Sequence, residues 1–222
     1  MSSDKALNPA TLELTQRIQV LFPRDIDADV LQAWNGTPGE VISTRLRETF
    51  GKAPEPAAPP EPQPLLDFVG TTTISATTEP FIAKDRFKQD TSRKAKPKIS
   101  YLGDNFKAWF LKKTEQPISQ TMLRSQRLVK ASLDQPIIAE LGDEAKSETT
   151  LSEIFALISL QSNGENGVLL TNGYANIFYV RDVNGVLRAV RVYWCDDGWL
   201  GSAYALDGGR WYGDRRVFSR NS

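Results

Sequence analysis

Histidine is missing altogether from the 222 residues, and cysteine occurs once, at Cys195. Without histidine there is no Ser-His-Asp or Cys-His nucleophile, no imidazole metal ligand and no imidazole pH switch. A single cysteine excludes an intramolecular disulfide and a thiolate zinc site. Excess charge of either sign is lacking too, since 27 Lys+Arg balance 27 Asp+Glu. Apolar runs stop at about six residues, as in Phe155–Leu160, far short of a membrane span. Residues Met1 to Lys5 carry no apolar core of a signal peptide. The expectation is a cytoplasmic protein of ordinary globular composition with no membrane partner, no metal and no cofactor.

What is present is punctuation. Six of the 13 prolines fall between Pro54 and Pro64, so residues 51–64 read as a semi-rigid polyproline-type spacer rather than as part of a core. Before it, residues 1–50 read as a small three-helix module. Asn8-Pro9 is a cap with proline at the first helical position, and Leu14, Ile18, Leu21 and Phe22 follow at helical spacing up to Pro23. Asp25 is placed to cap a second helix with Ile26, Val30, Ala33 and Trp34 on one face. Thr37 to Glu40 form a capping box leading to Ile42, Leu46 and Phe50, with Gly51 as the closing left-handed residue.

Residues 65–222 read as an α+β body. Thr71–Thr78 and Lys98–Leu102 are strand-like; Phe106, Trp109 and Phe110 suit a short helix; Thr121–Ser132 leans to strand; Asp134 and Gly142 bracket a helix at Pro136–Leu141. The best-specified part is 149–222, where Thr150-Leu-Ser-Glu153 is a capping box for a helix carrying Leu151, Ile154, Phe155 and Ile158. Alternating segments Tyr174–Arg181, Val186–Cys195, Trp199–Leu206 and Arg215–Ser219 predict a four-stranded antiparallel meander, its first two turns centred on Asn184-Gly185 and Asp197-Gly198. That register pairs Tyr179 with Val190, Ile177 with Val192, and Val192 with Ala203. It leaves small third-strand residues under the 151–161 helix. The opposite face then carries Phe178, Arg191, Tyr193 and Tyr204.

Four stretches together, Lys98–Phe110, Ile137–Gly142, Gly173–Tyr179 and Arg216–Asn221, resemble a family of hypothetical proteins from small-genome bacteria of the candidate phyla radiation. The resemblance spans roughly residues 68–222 and implies one intact unit there in a bacterial setting. It carries no activity, ligand or site residue.

Chemistry-bearing motifs are few. Asp25-Ile-Asp-Ala-Asp29 lacks the glycine and the closing glutamate of an EF-hand. Asn163–Gly167 lacks the Lys-Ser/Thr of a phosphate-binding loop. Cys195 precedes Asp196 and Asp197, whose charges raise rather than lower a thiol pKa. The sequence therefore leans away from catalysis. Charge is segregated, however: 13 basic residues face four acids between Lys84 and Lys130, while six acids face one lysine between Asp134 and Glu153. The leading reading is an accessory protein that binds another protein, with Phe178, Arg191, Tyr193 and Tyr204 as candidate contacts. The alternative is a nucleic-acid binder using the basic and aromatic tract 84–130, with Arg93, Lys94, Lys96 and Lys98 as candidate phosphate contacts. A third reading is a sugar-binding module built on the Trp-, Tyr- and Asp-rich segment 193–214.

Overall fold

The computed structural model describes residues 9–21, 24–50 and 63–220. The chain divides into two compact units, Met1–Pro60 and Glu61–Ser222. The first contains helices α1 (Pro9–Leu21), α2 (Ala28–Asn35) and α3 (Gly39–Phe50). Asp27, not Asp25, caps α2: its side chain accepts the Asp29 N–H at 2.9 Å. Gly36 ends the helix, donating its N–H to the Gln32 carbonyl. No residue of this unit with a described side chain is buried. The expected closing role of Gly51 and the spacer at 51–62 lie outside the described residues, as does the Asn8 cap.

The second unit is built on a seven-stranded sheet. Its elements are β1 (Leu66–Ile74), β2 (Phe81–Ile82), α4 (Ala83–Arg86), β3 (Ile99–Leu102), α5 (Asp104–Phe110), β4 (Thr114–Glu115) and β5 (Thr121–Leu128). Then come α6 (Asp134–Leu141), α7 (Glu144–Ser147), α8 (Leu151–Leu160), β6 (Asn176–Arg181), β7 (Leu187–Cys195), β8 (Gly198–Ala205) and β9 (Arg216–Arg220). The sheet order is β1-β5-β9-β6-β7-β8-β3, and β2 pairs with β4 apart from it. All neighbours in the sheet are antiparallel except β6 with β9 and β3 with β8.

The predicted four-stranded meander is corrected to three strands, β6, β7 and β8. β9 lies between β5 and β6, parallel to β6. The connection from β8 to β9 is too long for a hairpin. It crosses one sheet face, where Trp211 bridges Ser132 and the Asp214 N–H reaches the Leu128 carbonyl at 2.7 Å. Strand propensity at 215–219 was legible; strand partner is a tertiary property.

The predicted register is also corrected. The β6–β7 connection is a three-residue loop closed by Asp182 N–H to Val186 O at 2.9 Å, with Gly185 at φ +78°. The Asp182 carboxylate sets it by accepting the N–H groups of Asn184 and Val186. One residue of slip reverses a strand's faces. Phe178 therefore pairs with Val190, not Tyr179, and stacks on Phe218 in the core at 4.6 Å and 10°. Phe178 is thus not on the face of Arg191, Tyr193 and Tyr204. The β7–β8 turn centres on Asp196-Asp197, so Val192 pairs with Gly201 and Val190 with Ala203. That shift moves partners but preserves the faces.

An apolar layer lies on each side of the sheet. On one, α8 packs Leu151, Ile154, Leu157 and Ile158 with Phe178, Val190, Val192, Ala203 and Phe218. The α8 helix occupies the face foreseen for it. At the small residues it is α5 that comes close: Asn105 Nδ2 donates to the Ala203 carbonyl at 3.2 Å, and a Cβ on Gly201 would lie 3.7 Å from Phe106. On the other side, Ile137 and Ile138 of α6 pack with Leu66, Leu128, Ile177, Tyr179, Ala189 and Val217. Each such Leu, Ile, Val or Phe side chain contributes about 1.5–3 kcal/mol when fully buried. The capping box of α8 is present, with Thr150 accepting from Glu153 N–H and Glu153 from Thr150 N–H. A second acid reinforces it. Glu115 accepts the Leu151 and Ser152 N–H groups at 3.0 and 2.9 Å and pairs with Lys113 at 3.0 Å.

Candidate functional site

The layer under α6 reaches Leu187 and Ala189 on β7 and goes no further along that strand. Beyond it, the same sheet face carries Arg191 and Tyr193 from β7, opposite Ser202 and Leu200 of β8. Leu200 in turn opposes Tyr101 of the edge strand β3. Alternation puts Tyr204 on this face too. Tyr101 and Tyr204 are exposed, and Arg191, Tyr193, Leu200 and Ser202 are partly so. The strip runs along β8 for about 13 Å from Leu200 to Tyr204 at the usual strand rise.

A cleft of about 200 Å³ opens at the Tyr204 end, lined by Asp134, Arg191, Tyr204, Arg210 and Trp211 with the Gly208-Gly209 backbone. Tyr204 and Trp211 meet edge to face at 6.0 Å and 83°. Asp134, at the start of α6, forms the floor. One carboxylate oxygen accepts from the Tyr179 hydroxyl at 3.0 Å and Trp211 Nε1 at 2.6 Å; the other accepts the Asp207 N–H at 2.8 Å. Burial nevertheless holds the Asp134 carboxyl above its ordinary pKa, because three donors do not fully replace water. Burial, then the charge of Asp134, pushes the Tyr179 hydroxyl far up. Arg191 lies with its guanidinium carbon 4.0 Å over the Tyr193 ring. Its Nε is buried with no acceptor. Arg210 is exposed and forms no ion pair among the described residues.

Of the candidate residues, Arg191, Tyr193 and Tyr204 come together. Arg93, Lys94, Lys96 and Lys98 do not join them. They precede β3, which runs parallel to β8, so they sit at the opposite end of the strip from the cleft. There Arg93, Lys94 and Lys96 are exposed. The acidic tract does not neutralise them. Glu140 accepts the Leu65 and Leu66 N–H groups, Asp143 caps α7, Glu144 and Glu148 hold Arg181, and Glu153 serves α8 and Arg220. Lys84, Arg86, Lys88, Arg93, Lys94 and Lys96 form no ion pair among the described residues.

The aromatic cluster proposed for sugars is divided by the sheet. Trp199 is buried with its Nε1 donating to the Gln161 carbonyl, and Trp194 packs against it on the α8 side. On the cleft side of the sheet, Tyr204 and Trp211 stay together. Sequence reasoning missed Tyr101, Asp134, Arg210 and Trp211 as one site. Asp134 looked like a helix cap, and nothing in the local pattern around Arg210 marks it.

Cys195 is exposed, and its thiol donates to Asp196 Oδ2 at 3.4 Å. That hydrogen bond, burial and the charges of Asp196 and Asp197 raise its pKa. Among the described residues no group of three His, Cys, Asp or Glu side chains is arranged to hold a metal, and no helix is long and apolar enough to cross a membrane. In comparisons with known proteins, no family model, no curated protein and no solved structure matches this chain.

Proposed function

We propose that this protein is a non-enzymatic accessory protein of the cytoplasm that holds a segment of a partner protein on the open face of β7, β8 and β3. One observation carries the reading: the apolar cover of the sheet stops at Ala189, leaving a strip of three tyrosines and Arg191 accessible on rigid strands. Aromatic residues and arginine are the side chains that contribute most to protein interfaces, and strands hold them at fixed spacing. The helical unit adds a second surface, since Trp34, Val41 and Leu46 are exposed there.

A second reading, nucleic-acid binding through 84–130, is favoured by the six cations that no acid of the neighbouring tract engages. Affinity capture from lysate, with and without nuclease and at two salt concentrations, separates the two. A partner held by the face survives moderate salt and is lost with Tyr204→Ala or Arg191→Ala. Binding that instead falls steeply with salt, and with Arg93, Lys94, Lys96 and Lys98 replaced together by alanine, belongs to phosphate contacts. Recovery of nucleic acid alone would sink the protein-binding reading.

A further inference from the structure

We propose that the cleft at the Tyr204 end of the open face is a carboxylate-reading pocket, and that the partner segment it takes is acidic and extended. This rests on the face being a protein-binding surface, and names the chemistry that surface recognises.

Arg191 stands unpaired at this cleft. Nothing among the described residues accepts a hydrogen bond from it, and its Nε is already out of water. A guanidinium in that condition has lost part of its hydration without gaining a partner, so an incoming acceptor meets a reduced desolvation cost. The Tyr193 ring lies beneath it, its centroid 4.0 Å from the guanidinium carbon. Arg210 lines the same cleft and likewise has no carboxylate. Two unpaired guanidinium groups around one opening match a carboxylate, which accepts a parallel pair of charge-assisted hydrogen bonds from one and a further bond from the other.

The acid already present does not fill this role. Both oxygens of Asp134 are engaged by Tyr179, Trp211 and the Asp207 N–H. No ion pair joins Asp134 to either arginine. Its hydrogen bonds instead fix the indole of Trp211, one wall of the cleft.

At about 200 Å³ the cleft suits one side chain rather than a larger organic ligand. It lies in line with a strip whose accessible groups repeat every second residue of β8, the spacing of an extended chain laid alongside. A nucleic-acid strand would fit this path less well. It carries a phosphate at every step, whereas the cleft end of the strip has Asp134 in its floor and Asp207 beyond β8, and the exposed cations Arg93, Lys94 and Lys96 stand only at the far end. A peptide needs negative charge only where Arg191 and Arg210 stand.

The test uses the full chain and two fluorescein-labelled decapeptides, one of alternating Glu and Ser, the other with Gln for every Glu. Binding is followed by anisotropy and by the Trp211 indole N–H resonance in nitrogen-15 spectra. The Glu peptide is expected to bind at least about tenfold more tightly, as for one charge-assisted contact, and to shift the Trp211 signal. Arg210→Gln, an exposed substitution, should erase that preference. Arg191→Lys should reduce it, because an ammonium lacks the fork. Equal affinity for both peptides, still lost with Tyr204→Ala, would overturn the carboxylate pocket and leave the protein-binding face standing. A Trp211 signal unmoved by either peptide would overturn the pocket as well. A single-stranded oligonucleotide that displaces the Glu peptide with higher affinity would overturn both readings.

Discussion

Asp196 adopts φ +54°, a left-handed conformation that asparagine tolerates as readily as aspartate. Asp196→Asn therefore keeps the β7–β8 turn while removing the strongest influence that holds the Cys195 thiol protonated. Cys195 is expected to react slowly with iodoacetamide at pH 8, and several-fold faster in the variant; identical rates would show that the carboxylate does not control the thiol. Asp134 gives a prediction of opposite character. Its folded-state pKa lies above the ordinary value of 3.8, so the fold favours its protonated form. The associated stability is complete below 3.8 and is lost as pH rises through the folded value. Asp134→Asn removes that dependence. The melting temperature of the natural protein, relative to the variant, should be higher at pH 4 than at pH 7, and a flat difference would contradict it. Neither role is visible in the sequence at Asp134, where an acid ahead of Pro136 reads simply as a cap.

Among the elements, α8 is where sequence and structure agree most fully, because a capping box is a local device spanning four residues. Its second anchor was hidden. Glu115 lies 36 residues before Leu151 and reaches the helix only because the β2–β4 pair brings it there. Glu115→Ala would strip two backbone N–H groups of their acceptor and Lys113 of its carboxylate. A loss of roughly 2–4 kcal/mol, measured by urea unfolding, is expected. Gly164 makes a sharper case of local space. It sits at φ +72°, and a Cβ there would meet the Trp194 ring at 2.2 Å. Gly164→Ala should therefore destabilise the body by more than the roughly 1 kcal/mol of left-handed strain alone. The hairpin at 182–186 shows why register was harder. Asn184-Gly185 correctly signalled a turn, but the carboxylate of Asp182 chose a three-residue loop over a two-residue one. That single step exchanged Phe178 for Tyr179 on the core face under α8.

At the scale of the whole molecule, every buried core residue among the described residues falls between Leu66 and Ser219. A fragment of residues 63–222 should accordingly keep the unfolding midpoint of the body within about 2 °C when followed by near-ultraviolet circular dichroism; a large drop would mean that the helical unit contributes to the core. The α+β character was legible because capping boxes, turn dipeptides and alternation are short-range signals. The candidate site was legible only in part. Arg191, Tyr193 and Tyr204 follow from alternation along β7 and β8, whereas Asp134 and Trp211 arrive through a crossing connection that no periodicity records.

The position of β9 has a consequence for how the protein is made. It is the last of the described strands to leave the ribosome, yet it stands in the middle of the sheet, joining β5 on one side to β6 on the other. Until it emerges, β1 and β5 form one sheet fragment and β6, β7, β8 and β3 another, each with an unpaired inner edge. Completion of the sheet therefore waits until Arg220 has been made, and the two open edges are most vulnerable to pairing with other chains during that interval.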